Sequence, residues 1–371
     1  MKSKIGKTVA ALIFTAFTLC AASAASAANW LTFRGNAQRT GDALSPAPQT
    51  GPVTGQLVWQ RSVPSAVQSS PAVSGGRIFF GCNDGNLYAV RESDGGLIWR
   101  FNTNNWVTSS PAVSGGSVVF GSYDSKVYAV DAATGELKWQ FTTHNMVASS
   151  PAVADGRAFF GSVDGYVYCV DMKTGWQKWS YKAGREVYGS PSVAGGVVYI
   201  GNHDGKMMAL DAATGKLKWR AIVGGPVVTA PAIADGYLYF GSWDGKLYCA
   251  DIKNQAVIWR HDSGGSIESS PLAANGRVYF GNIRGRMTAL DAKSGNVAWQ
   301  TETGQTIISS PSIRGNQIFF GNNAGEIYSL DASSGAEIWK ITTNGFITTA
   351  PAAGQTSVYV TGMDGILRSI R

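Results

Sequence analysis

The stretch ALDAATGKLKW at residues 209–219 contains the pattern that decides the fold. AVDAATGELKW at residues 129–139 and ALDAKSGNVAW at residues 289–299 repeat the pattern at equal distances before and after it. The tryptophan that ends the pattern recurs at a constant interval, at Trp59, Trp99, Trp139, Trp179, Trp219, Trp259, Trp299 and Trp339. A fixed period of about 40 residues is a property of the whole fold, because each repeat is then one structural unit that packs against its neighbours.

Within one period the sequence predicts four short strands. In residues 107–141 the extended runs are 107–113, 117–121 and 126–130, followed by a last strand through Trp139. The first two runs are separated by Gly115 and Gly116, and the same place holds Asp155 and Gly156 in the next repeat. Such pairs favour tight antiparallel hairpins. Four antiparallel strands in a repeat of this length are typical of a β-propeller blade.

The length of the repeated region predicts the number of blades and the way in which the ring closes. Residues 52–371 hold eight such periods. The last period ends after its third strand, and residues 54–59 match the fourth strands of the complete repeats in register. We therefore expect an all-β fold, an eight-bladed β-propeller of four-stranded antiparallel blades. An N-terminal strand should complete the C-terminal blade and close the ring.

The pattern A-x-D-x-x-T-G-K-x-x-W in residues 209–219 resembles the tryptophan-docking motif of the pyrroloquinoline-quinone (PQQ) type propellers. The resemblance covers nearly all of residues 52–371. It implies that the eight periodic tryptophans are structural docking residues. The departures are Arg91 and Arg371 at the aspartate position, and Asn254 with Gln255 in place of Thr-Gly in the fifth blade. The family includes quinoprotein alcohol dehydrogenases and a non-catalytic, BamB-like branch.

Residues 1–51 are read as a leader and a lead-in. Residues 1–28 resemble a secretory signal peptide, with Lys2, Lys4 and Lys7 before a short apolar run and Ala25-Ser26-Ala27 at its end. The residue before Cys20 is Leu19, which disfavours lipid attachment at Cys20. Residues 29–51, which begin just before Trp30, resemble the lead-in of secreted PQQ-like proteins. We expect a periplasmic or secreted protein without a membrane span.

Composition excludes several classes of function. Apolar residues make up 44% of the chain and charged residues only 15%, so the chain can bury a large core and is not disordered. Without the three lysines of the leader, 28 basic residues face 24 acidic ones, a net charge of +4. Such a mild charge predicts no nucleic-acid binding.

The chemistry-bearing residues favour a non-catalytic protein. The resemblance implies that a dehydrogenase of this family would stack PQQ on adjacent cysteines and bind calcium on long insertions. The cysteines here are Cys20, Cys82, Cys169 and Cys249, none adjacent, and the repeats have no insertions. We therefore expect no catalytic residue, cofactor or metal site, although PQQ with calcium stays open. The aspartates that recur from Asp84 and from Asp131 are expected to bond their own turns.

The residues that vary within the fixed repeat are the candidates for binding. Two connections of each blade should emerge on one face, and exposed aromatic residues with arginine are typical of interface anchors. The candidate partner-binding residues are Trp106, Tyr123, Arg185, Glu186, His203, Trp243, Arg284, Phe346 and Met363. Alternatively, these bulky side chains pack on each other and seal the channel.

Three functions follow from these observations. The first is an exported, monomeric, non-catalytic scaffold that binds protein or peptide partners in cell-envelope assembly, through this face or through a blade edge. The second is a PQQ-dependent oxidoreductase. The third is a polysaccharide- or small-ligand-binding propeller.

Overall fold

The computed structural model describes residues 31, 33, 35, 36, 38 and 39, residues 51–354, and residues 356–371. The predicted signal peptide at residues 1–28, with Cys20, lies outside the described residues. So do Trp30 and most of the other lead-in residues. The boundaries predicted for the leader and the lead-in therefore stay predictions.

The described residues form 32 strands in eight four-stranded antiparallel sheets, which confirms the predicted eight-bladed all-β propeller. The first strand is β1 (Leu57–Ser62). Blade 1 contains β2 (Ala72–Ser74), β3 (Arg77–Gly81), β4 (Asn86–Arg91) and β5 (Leu97–Asn102). Blade 2 contains β6 (Ala112–Ser114), β7 (Ser117–Gly121), β8 (Lys126–Asp131) and β9 (Leu137–Thr142). Blade 3 contains β10 (Ala152–Ala154), β11 (Arg157–Gly161), β12 (Tyr166–Asp171) and β13 (Gln177–Lys182). Blade 4 contains β14 (Ser192–Ala194), β15 (Val197–Gly201), β16 (Lys206–Asp211) and β17 (Leu217–Ile222).

The second half of the ring repeats this order. Blade 5 contains β18 (Ala232–Ala234), β19 (Tyr237–Gly241), β20 (Lys246–Asp251) and β21 (Ala256–Asp262). Blade 6 contains β22 (Leu272–Ala274), β23 (Arg277–Gly281), β24 (Arg286–Asp291) and β25 (Val297–Glu302). Blade 7 contains β26 (Ser312–Arg314), β27 (Gln317–Gly321), β28 (Glu326–Asp331) and β29 (Glu337–Thr342). Blade 8 contains β30 (Ala352–Ala353), β31 (Val358–Thr361) and β32 (Ile366–Ile370), with β1 as its outermost strand.

The innermost strands are shorter than the sequence predicted. The run 107–113 was expected to be one strand, but β6 covers only Ala112–Ser114. Ser110, which precedes this strand, bonds to the next blade instead of pairing within its own sheet: its backbone N–H donates to Ser150 Oγ at 2.9 Å. Pro111 has no backbone N–H to contribute to a ladder.

The ring closes where the two ends of the described propeller meet. β1 pairs antiparallel with β32, with Gln60 opposite Arg368. The backbone N–H of Gln56 donates to the carbonyl of Arg371, and the N–H of Arg371 donates to the carbonyl of Gln56, both at 2.8 Å. The predicted closure by an N-terminal strand in the C-terminal blade is confirmed.

Adjacent blades meet at what we call seams, and a tryptophan of one blade covers a turn of the next. A Cβ added to Gly135 of blade 2 would lie 2.7 Å from the Trp99 ring of blade 1. Trp99 is 9% exposed and donates its indole N–H to the Ala132 carbonyl at 3.3 Å. Burial of a tryptophan removes about 150–250 Å² from water and contributes on the order of 4–5 kcal/mol before chain entropy is subtracted. Since only glycine leaves room for a ring that lies flat on the turn, the motif fixes how the blades approach each other.

Candidate functional site

The two variable connections of each blade lie on the same face of the ring. The backbone N–H of Tyr123 donates to the carbonyl of Trp106 at 2.9 Å, and Trp243 bonds in the same way to Pro226. We call this side the funnel face. It consists of the loops 63–71 and 82–85 and of the equivalent loops of the other blades. The opposite face carries the hairpin turns, such as 115–116, and the turns that receive the tryptophans.

The funnel face is acidic. Its loops contain two arginines, Arg185 and Arg284, and eight carboxylates: Glu186, Glu268, Asp84, Asp124, Asp164, Asp204, Asp244 and Asp364. When the strand residue on each side of every loop is included, eleven acidic residues face seven basic ones. The excess of negative charge on this face contrasts with the positive charge of the chain as a whole.

Five aromatic rings of the funnel face lie in two contacting groups, one in blade 2 and one across blades 4 and 5. The ring centroids of Trp106 and Tyr123 lie 5.9 Å apart and are stacked. Further along, the centroid of His203 lies 4.9 Å from Tyr188 and 5.3 Å from Trp243. Trp106 is 48% exposed and Trp243 is 40% exposed, so both indoles face solvent. We call these five residues the aromatic arc.

Charged groups border the middle of the arc. Arg185 Nε lies 3.3 Å from the Glu186 carboxylate, and His203 Nδ1 lies 3.9 Å from the same carboxylate. Burial, with smaller contributions from Tyr123 and Glu186, raises the pKa of Tyr188. The arc therefore combines flat apolar surfaces with a carboxylate and a guanidinium at one edge.

The other candidate residues stand apart from the arc. Arg284 Nε donates to the Gly264 carbonyl at 2.5 Å. Phe346 is 53% exposed and is joined to Met363 through the backbone, because the Met363 N–H donates to the Phe346 carbonyl at 2.9 Å. Within the described residues no ring contact or ion pair connects Arg284, Phe346 or Met363 to the arc. The sequence predicted that the variable connections share one face, and the structure confirms this, but the sequence did not indicate which of their residues meet.

Tyr188 was missed although a signal existed. It occupies the place two residues after Glu186, where the other repeats hold Gln68, Thr108, Ala148, Val228, Glu268, Ile308 and Thr348. That series varies as much as the series that contain Trp106 and Tyr123. Aligning the repeats with one another therefore shows a third variable position, in the same connection as Glu186.

The turn aspartates of the funnel face are bound by their own blades. Asp124 accepts the backbone N–H of Lys126 at 3.1 Å and the hydroxyl of Tyr128 at 2.6 Å. Burial, and then Asp124, raise the pKa of Tyr128 above its ordinary value. In the described part of the chain no three His, Cys, Asp or Glu side chains are grouped so that they could hold a metal ion.

A cavity of about 170 Å³ lies in the channel below the funnel face. Its wall includes serines that connect successive blades, and the Ala350 N–H donates to Ser70 Oγ at 2.8 Å across the closure. Glu268 also lines the cavity, and burial raises the pKa of this carboxyl group. Phe33, which belongs to the lead-in near the N-terminus, also lines the cavity.

The described lead-in residues attach to the inner edges of two blades. The Val113 N–H of β6 donates to the Leu31 carbonyl at 2.6 Å, and the Ile233 N–H of β18 donates to the Gln38 carbonyl at 3.1 Å. Arg39 is fully buried and donates to the carbonyls of Ser150 and Pro191. Burial lowers the pKa of Arg39 to about 9.

The ring, its closure and its tryptophan seams define a β-propeller of the PQQ-like repeat class. The chain belongs to the family described as outer membrane protein assembly factor BamB. The family model matches residues 47–151, 143–230, 221–343 and 303–371. The resemblance stated from the docking motif is thereby confirmed.

Solved structures show the same fold at low sequence identity. BamB from Moraxella catarrhalis has a TM-score of 0.75 and 19% identity, covering 85% of this chain and 99% of its own. A quinohemoprotein alcohol dehydrogenase from Comamonas testosteroni has a TM-score of 0.80 and 15% identity, covering 92% of this chain and 80% of its own. The computationally designed protein Ika8 has a TM-score of 0.77 and 18% identity, covering 85% of this chain and 99% of its own.

No curated protein sequence matches the chain. Over the described residues the structure contains no helix that could span a membrane.

Proposed function

We propose that this protein is an exported, non-catalytic scaffold that binds protein partners through its funnel face, in the assembly of the cell envelope. The observation that carries the proposal is the aromatic arc. Trp106 and Trp243 expose large indole surfaces at positions where the residue differs from one repeat to the next. Exposed tryptophan and tyrosine beside arginine are the residue types that dominate interface energies. Membership of the BamB family supports the envelope role and a location outside the cytoplasm.

The charge of the funnel face favours partner segments that carry lysine or arginine. A guanidinium or ammonium group can lie over an aromatic face and pair with a carboxylate such as Glu186 at the same time. The eight loop carboxylates would also attract a cationic segment before contact. A binding role of this kind requires no catalytic residue.

The cysteines and the channel volume argue against PQQ with calcium in this chain. Cys82, Cys169 and Cys249 are buried in three different blades, so the described propeller offers no cysteine pair on which a quinone could stack. Burial raises the pKa of each of these thiols to about 12, which keeps them protonated. The channel cavity of about 170 Å³ is also below the ~300–1,000 Å³ of ordinary cofactor sites. We therefore derive no reaction step through a quinone.

The test is capture of envelope proteins by cross-linking to the purified protein, with two matched variants. Trp106→Ala with Trp243→Ala removes the two exposed indoles of the arc. Trp176→Ala removes an indole that is 78% exposed on the opposite face. We expect the double variant to capture its partners at least ~5-fold less well, which corresponds to about 1 kcal/mol, and Trp176→Ala to leave capture unchanged.

The same experiment contains the outcomes that would overturn the proposal. Equal capture by all three proteins would show that the funnel face is not the binding surface. Capture that soluble glycans abolish would assign the arc to polysaccharide binding. Rising ionic strength should weaken capture if the partner segment is cationic, because exposed charges are screened within about 10 Å at 0.1 M salt.

A further inference from the structure

One of the eight seams lacks the hydrogen bond that the others share. In seven seams the tryptophan indole donates to a backbone carbonyl of the next blade, at distances between 2.8 Å for Trp339 and 3.3 Å for Trp99 and Trp259. The exception is Trp219 of blade 4, whose Nε1 makes no hydrogen bond within the described residues. The seam between blades 4 and 5 is therefore built differently from the rest.

The cause is Gln255, which stands where the other complete blades have glycine. In those seams a Cβ at the glycine would lie between 2.5 Å from the ring of Trp299, at Gly335, and 2.9 Å from that of Trp259, at Gly295. Gln255 has a Cβ and keeps the left-handed backbone, with φ of 55°. Since a Cβ would overlap a ring in the regular position, Trp219 cannot lie flat on this turn.

A second donor loses its partner at the same place. In the following two seams a buried tyrosine donates to the same carbonyl as the tryptophan: Tyr239 bonds to Ala292 and Tyr279 bonds to Ala332, both at 3.2 Å. The equivalent tyrosine of blade 4 is Tyr199, and it makes no such bond to Ile252 or to any other described residue. The hydroxyl of Tyr199 and the indole N–H of Trp219 are thus both available.

These two side chains line a cavity of about 140 Å³ between blades 4 and 5. The wall also includes Leu238, Ala250 and Ile252, so the body of the cavity is apolar. Of the charged side chains at its rim, Lys218 pairs with Asp211 at 3.2 Å, and Asp251 accepts from Asn254 at 2.8 Å. A cavity of roughly 150 Å³ with apolar walls holds a benzene-sized molecule.

We propose that the cavity at the blade 4–5 seam binds a small, neutral, planar aromatic molecule that carries an acceptor oxygen. The ring lies against the apolar wall of Leu238, Ala250 and Ile252, and the oxygen accepts from Tyr199 and Trp219. Neutrality follows from the apolar wall and from a rim whose one lysine, Lys218, is already paired with Asp211, so that no free cation is left for an anionic ligand. Size follows from the volume. The site is separate from the funnel face and does not depend on the function proposed above.

Fluorine NMR of a labelled ligand tests this site directly. The probes are 4-fluoroacetophenone and 1-ethyl-4-fluorobenzene, which has a similar size but no acceptor. We expect saturable binding of the ketone by the full chain and binding of the ethyl compound that is about 5–10-fold weaker, since a buried donor then stays unpaired. Tyr199→Phe should reduce that preference, and it should fold because Phe79, Phe159 and Phe319 occupy the equivalent place.

Two substitutions of Gln255 distinguish the loss of the cavity from a change in the overall stability of the protein. Gln255→Gly lets Trp219 close on the turn, and we expect it to weaken ketone binding by at least about tenfold while the melting temperature stays equal or rises. Gln255→Ala keeps the Cβ and should keep binding. No saturable binding of the ketone at millimolar concentration, or binding that Gln255→Gly leaves intact, would refute the proposal.

Discussion

The two faces of the ring use the same residue type for different purposes, as Trp99 and Trp106 show. Both lie in one short segment of the chain, yet Trp99 is 9% exposed against a turn of the opposite face while Trp106 is 48% exposed on the funnel face. The opposite face repeats one turn around the ring, because each turn must receive a tryptophan. The loops of the funnel face receive no periodic tryptophan, so their residues vary. The comparison teaches that the residues fixed by the repeat are those that pack between blades, whereas the residues that vary lie where this packing imposes no constraint.

The largest expected effect comes from removing the strand that closes the ring. Deletion of residues 29–62 removes β1 from blade 8 and also Val53, whose carbonyl accepts the Trp339 indole N–H at 2.8 Å. We expect the free energy of unfolding to fall by at least about 5 kcal/mol, since a strand and a tryptophan seam are lost together. Denaturant unfolding followed by circular dichroism measures it.

A shorter deletion is the control for ring closure. Removal of residues 29–51 keeps β1 and the Trp339 contact but loses the lead-in with Arg39. Its effect should be clearly smaller than that of the longer deletion. Equal stability of the longer deletion and the intact protein would contradict closure by the N-terminal strand.

The next largest effect is the difference in stability between alanine substitutions of Trp99 and of Trp106. Trp99→Ala empties a seam, and we expect a loss of about 3–5 kcal/mol in unfolding free energy. Trp106→Ala removes a solvent-facing ring and should change that free energy by less than about 1 kcal/mol. Thermal melts of both variants measure the difference, and a loss of similar size in both would show that the arc belongs to the core.

A smaller loss of stability is expected when glycines of the opposite face are substituted, and two of them can be compared. Both have positive φ, 77° at Gly135 and 70° at Gly116, but only Gly135 lies under a tryptophan. Gly135→Ala should reduce the unfolding free energy by about 2–4 kcal/mol, through backbone strain and overlap with Trp99. Gly116→Ala has no atom within 4 Å of the new Cβ and should lose only about 1 kcal/mol. Denaturant titration of the two variants measures both losses, and equal losses would mean that the seam tolerates a methyl group.

The smallest expected effect is on the stability of the protein at acidic pH. The hydrogen bond from Lys138 and those from two backbone N–H groups hold the pKa of Asp131 at about 2, and Lys178 does the same for Asp171. A lowered folded-state pKa gives stability that is present above the unfolded value of about 4 and is lost as pH falls toward 2. The melting temperature should therefore decline between about pH 4 and pH 2. Asp131→Asn should reduce that decline slightly, and an identical pH profile would contradict the assignment.

The fold was predictable because it depends on what every repeat shares. The spacing of Trp59 to Trp339 indicated the period, the length of the repeated region indicated eight blades, and the unpaired third strand at the end required β1. The exact length of β6 was not predictable, since the bonds of Ser110 to blade 3 decide where pairing starts. The repeat also made it predictable that the two variable connections of each blade share one face, but not which of their residues contact each other.

By itself the sequence determined the ring, its closure and its glycine–tryptophan seams, since these follow from a pattern repeated at one fixed distance along the chain. Only the tertiary structure decided that His203 contacts both Tyr188 and Trp243, that Arg39 lies buried among carbonyls of blades 3 and 4, and that a cavity opens beside Trp219. Those contacts join different blades at positions where the repeat varies. Their distances depend on how the blades are arranged in space, which no periodicity of the sequence specifies.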